Sequence, residues 1–167
     1  GLIPETNHVQ LNQRFTLKEF DDEQEEYPSL VHDGNGQMWM FSLRRLSFPE
    51  NKELISSFRF NGKTWIETDP VSPTKGQYEA PIAACARGGK PVVAWTEIDK
   101  DDWHIKVSTY DTNGFHKPFH LKAPTGKSIN PVLLAADKTR NWIAWENLHE
   151  GKFSIYFSKY ENSKWRV

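Results

Sequence analysis

The feature of this sequence that most restricts its fold is an internal repeat with a period of about 50 residues. Three classes of apolar position recur at that period, and each class keeps a similar side chain in every copy: Ile55, Ile105 and Ile155; Phe60, Tyr110 and Tyr160; Trp65, Phe115 and Trp165. A shared period in three independent classes indicates three copies of one structural unit, placed one after another along the chain.

Each copy divides into four short runs that suit β-strands. In the third copy these runs are 131–136, 141–146, 153–160 and 164–167, and the third of them alternates in the period of two expected of a strand. Turn-forming pairs separate the runs, such as Asn61-Gly62 in the first copy and Gly88-Gly89 in the second. No segment shows a sustained helical period, so we expect an all-β fold.

Four antiparallel strands repeated at this period are typical of the blades of a β-propeller. We therefore predict three four-stranded antiparallel blades, at about 28–68, 81–121 and 131–167. A sheet of four strands buries both faces only by stacking against its neighbours, so we expect large aromatic side chains between the blades: Trp39, Trp65, Trp95, Trp145 and Trp165. A β-sandwich also uses many short strands, but the fixed period argues against it.

Three blades are too few to close a ring, because propellers typically have about four to eight. Residues 14–20 resemble the fourth strand of another blade, and we interpret residues 1–13 as an N-terminal extension or linker. Two hypotheses stay open. The chain is a partial propeller whose missing blades belong to a longer protein, or a homodimer completes a six-bladed ring by joining two copies head to tail.

Composition excludes several classes of function. The 21 Lys and Arg residues nearly balance the 22 Asp and Glu residues, so the net charge of −1 offers no general surface for nucleic acid or anionic lipid. No apolar run is long enough to cross a bilayer, so we expect no membrane insertion. Cys85 is the only cysteine, which excludes intrachain disulfides and metal sites built on several thiolates.

The third copy, from Pro131 to Trp165, resembles blades of bacterial propellers of the sialidase-like and TolB-like kind, which carry BNR-type repeats. The stretch Gly62-Lys63-Thr64-Trp65 matches the second half of the sialidase Asp box, but Phe58 and Phe60 replace its Ser and Asp, so the box is degenerate. The resemblance implies a propeller and a secreted or periplasmic protein. Such propellers include sialidases, other glycan-processing enzymes and modules that only bind.

Catalysis of the sialidase type, as the resemblance implies it, needs a cluster of arginines that grips a carboxylate. Here Arg87 and Arg140 fall in turns between first and second strands, whereas Arg44 and Arg45 approach loops of the opposite face. This separation argues against one anion clamp, and we predict no catalytic residue. The acidic residues of one loop, 99–102, could bind calcium, but they lack the spacing of a standard loop, so no cofactor or metal is expected.

Loops that join second to third strands, and loops between blades, normally share one face of a propeller. Aromatic side chains beside polar groups are a common way to hold sugars and peptides. We therefore predict a ligand-binding rim on this face: Arg44, Arg45, Tyr78, Glu97, Asp101, Trp103, Asn130, Asn147 and His149.

The predicted function is that of a non-catalytic propeller module that binds a glycan or protein partner on this face, as part of a larger protein. The alternative hypothesis is a fragment of a sialidase-like or other glycoside hydrolase with an incomplete active site, in which carboxylates such as Glu97 and Asp101 would act as a pair.

Overall fold

The computed structural model describes residues 24–47, 49, 51–72, 75–121 and 123–166. These residues form three antiparallel sheets in chain order. The first sheet contains β1 (Gln24–His32), β2 (Met38–Arg45), β3 (Glu53–Phe60) and β4 (Trp65–Glu67). The predicted strand at 14–20 and the predicted extension at 1–13 lie outside the described residues.

The second and third sheets repeat the order of the first. The second contains β5 (Tyr78–Arg87), β6 (Lys90–Asp99), β7 (Asp102–Asp111) and two short strands that both pair with β7, namely β8 (Gly114–Phe115) and β9 (Phe119–Leu121). The third contains β10 (Lys127–Ala135), β11 (Asn141–His149), β12 (Lys152–Glu161) and β13 (Lys164–Arg166). Three antiparallel blades of a β-propeller are therefore confirmed.

The first strand of every blade contains the same irregularity. The pairing with the second strand shifts between Glu26 and Ser29 in the first blade and between Ile129 and Val132 in the third. In the second blade the shift lies between Glu79 and Ala83. Each shift surrounds a proline, which has no N–H to donate to the ladder, so a bulge at this position accommodates it.

Within the described residues two hydrophobic cores hold the blades together, and strand β6 contributes to both. Its residues alternate, since Val93 and Trp95 pack into the core shared with the first blade, while Val92 and Ala94 pack into the core shared with the third. Because successive side chains of a strand point to opposite faces, a blade between two neighbours must be apolar on both sides.

The large aromatic residues mostly lie between the blades, as predicted. Trp39 and Trp95 are buried in the first core and Trp145 in the second, and each is at most 3% exposed. Trp165 packs half-buried against the second core. Trp65 belongs to neither core; its ring lies against Phe60 in the same blade, with the ring centroids 5.2 Å apart.

The outer face of the third blade is apolar and exposed. The repeat relates this face to one side of the second blade. Val92, Ile105 and Val107 lie in the second core there, and the residues 50 positions later are Trp142, Ile155 and Phe157. Large apolar side chains on this face are exposed by 37% to 69%: Val132, Leu134, Trp142, Phe153, Ile155 and Phe157. This face has the apolar composition of an interface between blades, and no other described strand packs against it.

Among the described residues there is no helix of the length and hydropathy that crossing a membrane would require.

Candidate functional site

The structure separates the nine predicted rim residues into three groups. Three of them, which we expected to be exposed on the rim, are instead buried: Arg44 is 6% exposed, Tyr78 is 5% exposed and Asn147 is 2% exposed. The other six are half-buried or exposed, and they divide between the first blade and the junction of the second and third blades.

Arg44 is the centre of a buried polar network in the first blade. Its Nε donates to Glu25, and its Nη1 lies 2.7 Å from Oε1 of Glu67. Ser42 and Ser56 also donate their hydroxyls to Glu25, the latter at 3.0 Å. Burial lowers the pKa of Arg44, but the hydrogen bonds and charges of Glu25 and then Glu67 outweigh burial, so the pKa is raised. These contacts give Arg44 a structural role inside the blade, whereas the sequence predicted a ligand-binding role on the rim.

Tyr78 belongs to the first hydrophobic core. Its ring meets that of Trp95 edge to face, with centroids 6.5 Å apart, and its backbone N–H donates to Oε2 of Glu53 at 2.7 Å. The sequence placed this residue in a loop between blades, whereas it is the first residue of β5. The strand begins early enough to turn the ring inward, away from the rim.

Arg45 and Glu97 both form ion pairs, at different places on the molecule. Arg45 is exposed in the first blade, where its Nε lies 3.2 Å from Glu26 and 3.7 Å from Glu53. Glu97 is half-buried in the second blade, with Oε1 3.7 Å from Nζ of Lys106. A carboxylate held by a lysine is less available to act as a general acid or base on a substrate.

His104 lies beside Glu97 and is 6% exposed. Its Nε2 is 4.0 Å from Glu97, its Nδ1 is 3.7 Å from Asp102, and its ring centroid is 3.9 Å from that of His120. Burial lowers the pKa of His104, as does the charge of Lys106, and the carboxylates of Glu97, Asp102 and Asp99 only partly oppose them. The folded protein therefore favours a neutral imidazole at this position.

Acidification is expected to destabilise the protein through His104. In the unfolded chain the imidazole has its ordinary pKa of 6.5, so the unfolded state binds more protons in mildly acidic solution. The stability that neutral His104 contributes is therefore fully present above pH 6.5. It is lost as the pH falls from there through the lower pKa that His104 has in the folded protein. We expect the decrease in Tm between about pH 7.5 and about pH 5 to be smaller in His104→Gln than in the wild type. Equal decreases in both proteins would contradict this role.

Asp101 and His149 line one open groove on the loop face, between the second and third blades. The groove has a volume of about 670 Å³ and is also lined by Lys127, Leu148 and Glu150. The Nζ of Lys127 lies 4.7 Å from the centre of the Trp103 ring, a cation–π contact that holds the lysine at the groove. Two predicted rim residues, Asp101 and His149, thus line the same concave surface, and a third, Trp103, contacts its lining residue Lys127.

Asn130 and Asn147 lie on the third-blade side of this junction and form internal hydrogen bonds. Asn130 donates to Oε2 of Glu146 at 3.0 Å, and Asn147 donates to the Ser128 hydroxyl at 3.4 Å. Gly126 brings the preceding loop so close that an added Cβ would lie 2.5 Å from the carbonyl oxygen of Leu148. The two asparagines support the groove from within, because their amides are engaged with the protein.

The part of the chain that the structure describes contains no group of side chains arranged to bind a metal ion. No three His, Cys, Asp or Glu side chains converge there, and this includes the acidic turn at 99–102 that the sequence suggested for calcium. Cys85 is half-buried, and burial raises its pKa to about 11. Because the thiolate is the reactive form, such a thiol is a poor nucleophile near neutral pH.

A second cleft, on the opposite face of the same junction, was not found from the sequence. It has a volume of about 770 Å³ and is bounded by β7, the segment after β8, and the turns of the third blade. Its charged lining is basic: Arg87, Lys90, Lys117, Lys138 and Lys164. These residues are far apart in the sequence and lie in turns or at the ends of strands. The recurrence of basic residues at such positions is the only sequence feature that could have pointed to the cleft.

Comparisons with known proteins support the architecture and leave the activity open. No family model matches the chain, and no curated protein matches it. Among solved structures it is similar to a GH43_1 enzyme from Xanthomonas citri complexed with xylotriose, with a TM-score of 0.51 and 19% sequence identity. The match covers 72% of this chain and 39% of that enzyme chain, so it spans about two fifths of the enzyme's length. At this identity the likeness shows the fold alone, which is that of a β-propeller.

Proposed function

We propose that the chain is a non-catalytic propeller module that binds a glycan in the loop-face groove, within a larger secreted or periplasmic protein. The observation that carries the proposal is the convergence of Asp101 and His149, from two different blades, on one groove beside Trp103 and Lys127. Saccharides are commonly held in this way, by an apolar surface together with a few charged or polar groups that bond to hydroxyls.

Each group in the groove has a chemical role in this proposal. The exposed carboxylate of Asp101 accepts hydrogen bonds from sugar hydroxyls, and the two ring nitrogens of His149 offer further hydrogen-bonding positions. Lys127 adds three N–H donors at a position held by the Trp103 ring. The apolar side chain of Leu148 provides a surface for the C–H face of a sugar ring.

The proposal favours binding over hydrolysis because of how the neighbouring carboxylates are engaged. Glycoside hydrolysis generally needs two carboxyl groups on either side of the scissile bond. Two half-buried acids in the strands that lead to the groove, Glu97 in β6 and Glu146 in β11, are held by protein partners, Lys106 and Asn130. The alternative, a glycoside hydrolase with an incomplete active site, is supported by the likeness in fold to an enzyme complexed with xylotriose.

A glycan array tests the proposal. Labelled wild-type protein is expected to bind one class of saccharide, and the double variant Asp101→Ala/His149→Ala is expected to lose about tenfold or more in affinity, because two polar contacts are removed. Both side chains are exposed, so the fold should be unaffected.

The matched control is His32→Ala/Asp69→Ala, which removes a histidine and an acid from exposed positions outside the groove. His32 is the last residue of β1, and Asp69 follows β4. This control should bind as the wild type does. Wild-type binding to no saccharide on the array, or equal binding by both double variants, would contradict the proposal. Turnover of fluorogenic glycosides that is lost in Asp101→Asn would favour the hydrolase instead.

A further inference from the structure

The basic cleft between the second and third blades is a separate concave surface. It lies at the ends of the blades where the first strand turns into the second, and it shares no lining residue with the loop-face groove. We propose that this cleft is a second binding site, for an anionic saccharide that carries carboxylate or sulfate groups.

The charge of the cleft is the first observation behind this proposal. Among the described residues, no Asp or Glu lines the cleft, and none of its Lys or Arg side chains takes part in an ion pair. Nearby acids are already engaged, such as Asp111 with His116 at 2.8 Å and Asp137 with Arg140. Five cations therefore face one cleft in a chain of net charge −1, which creates a local field that attracts anions.

Arg87 gives the cleft a fixed positive charge. Its guanidinium carbon lies 3.6 Å from the centre of the Tyr160 ring, and its Nη2 donates to the Thr109 hydroxyl at 3.2 Å. Nη1 is buried and has no hydrogen-bond partner among the residues that the structure describes. Burial lowers the pKa of Arg87, with the charges of Tyr160 and Cys85 opposing it, yet a guanidinium stays protonated near neutral pH. A cation buried without a carboxylate is costly, and a bound anion would offset that cost.

The aromatic residues of the cleft favour a saccharide over single-stranded nucleic acid. Nucleic-acid strands bind by stacking successive bases on exposed aromatic faces. In this cleft Tyr110, Tyr160 and Trp165 are half-buried, and the Tyr160 ring is covered by Arg87 and meets Trp165 at 5.2 Å. Phe119 presents an exposed ring, at 49%. The exposed ring of Phe119 can pack against the apolar face of one sugar unit. The lysines of the cleft are compact point charges, which suit carboxylate or sulfate groups spaced along a saccharide.

Titration calorimetry with four probes tests the site. The probes are a sulfated heparin-derived oligosaccharide, an oligogalacturonate, a neutral xylo-oligosaccharide and a single-stranded oligonucleotide of matched charge. The wild-type chain is expected to bind at least one of the two acidic saccharides at low salt, and the one that binds more tightly identifies sulfate or carboxylate as the preferred group. Raising the ionic strength should weaken binding by about tenfold, because exposed charges are screened.

Two double variants locate the binding. Lys138→Ala/Lys164→Ala removes two exposed lysines of the third-blade wall and should weaken binding of the acidic saccharide by about fivefold or more. Lys63→Ala/Lys152→Ala removes the same charge from exposed positions outside the cleft and should leave affinity within about twofold. The loop-face variant Asp101→Ala/His149→Ala should bind the acidic saccharide as the wild type does, which separates this site from the groove.

Three outcomes would overturn the proposal. They are no binding of either acidic saccharide, equal or tighter binding of the oligonucleotide, and equal weakening by the two lysine double variants. Equal weakening would indicate that the saccharide is attracted by the lysines of the whole surface and is not bound at this cleft. A larger increase in Tm for the wild type than for Lys138→Ala/Lys164→Ala, at the same concentration of the acidic saccharide, would support the proposal independently, because a ligand that binds only the folded state stabilises it in proportion to the logarithm of its affinity.

Discussion

Replacing Trp95 by alanine is expected to lower the free energy of unfolding by about 3–5 kcal/mol. The indole is fully buried in the core between the first and second blades, where it meets the edge of the Tyr78 ring. Its removal takes away a large apolar surface and leaves a cavity that two stacked sheets cannot close without moving relative to each other. Urea denaturation followed by circular dichroism measures the loss.

The matched control is Trp142→Ala on the outer face of the third blade. This indole is 37% exposed and has contacts to Phe157 and Lys159 within its own sheet. We expect its replacement to cost less than about 1 kcal/mol, as is usual for surface substitutions. A cost as large as that of Trp95→Ala would contradict an uncovered outer face, and it would indicate that another sheet packs there in solution.

Replacing Glu25 by alanine is expected to lower the free energy of unfolding by about 3 kcal/mol, because it breaks the buried ion pair with Arg44. The side chain of Arg44 is 7% exposed and that of Glu25 is 15% exposed, so the guanidinium would lose its most buried counter-charge. The hydroxyls of Ser42 and Ser56 would lose the same acceptor. Denaturant titration of the variant, with the m-value compared with that of the wild type, measures the effect.

The control for this prediction is the other carboxylate of the network. The side chain of Glu67 is 42% exposed, and water can replace it as a partner of Arg44. Glu67→Ala should therefore cost less than about 1 kcal/mol, as exposed ion pairs usually do. If Glu25→Ala were no more destabilising than Glu67→Ala, the buried network would not contribute as its contacts suggest.

The candidate sites could be predicted only in part. Asp101, Trp103 and His149 lie in or next to loops that flank strands of successive blades, and the repeat placed those loops on one face. Arg44, Tyr78 and Asn147 were expected on the rim and are buried instead, because the exact start and end of a strand and the covering of a blade face decide whether a side chain is buried. A shift of one residue moves a strand side chain to the other face of the sheet.

The basic cleft could not be predicted from the amino-acid order. Lys90, Lys138 and Lys164 lie in or directly after separate turns, and each is an ordinary surface lysine when considered alone. The net charge of −1 gives no sign of them either, since it averages over the whole surface. Their effect as a group depends on the distance between turns of neighbouring blades, which is a property of how the blades stack.

The amino-acid order alone was sufficient for the blades themselves. The spacing of Ile55, Ile105 and Ile155 and the alternating faces of β6 are local properties, because a strand and its hairpin partner are specified within a few tens of residues. Only the stacked structure decided which loops and turns meet, and therefore that Asp101 and His149 line one groove and that Arg87 lies on Tyr160. Contacts between blades depend on the packing of whole sheets, which no short stretch of sequence encodes.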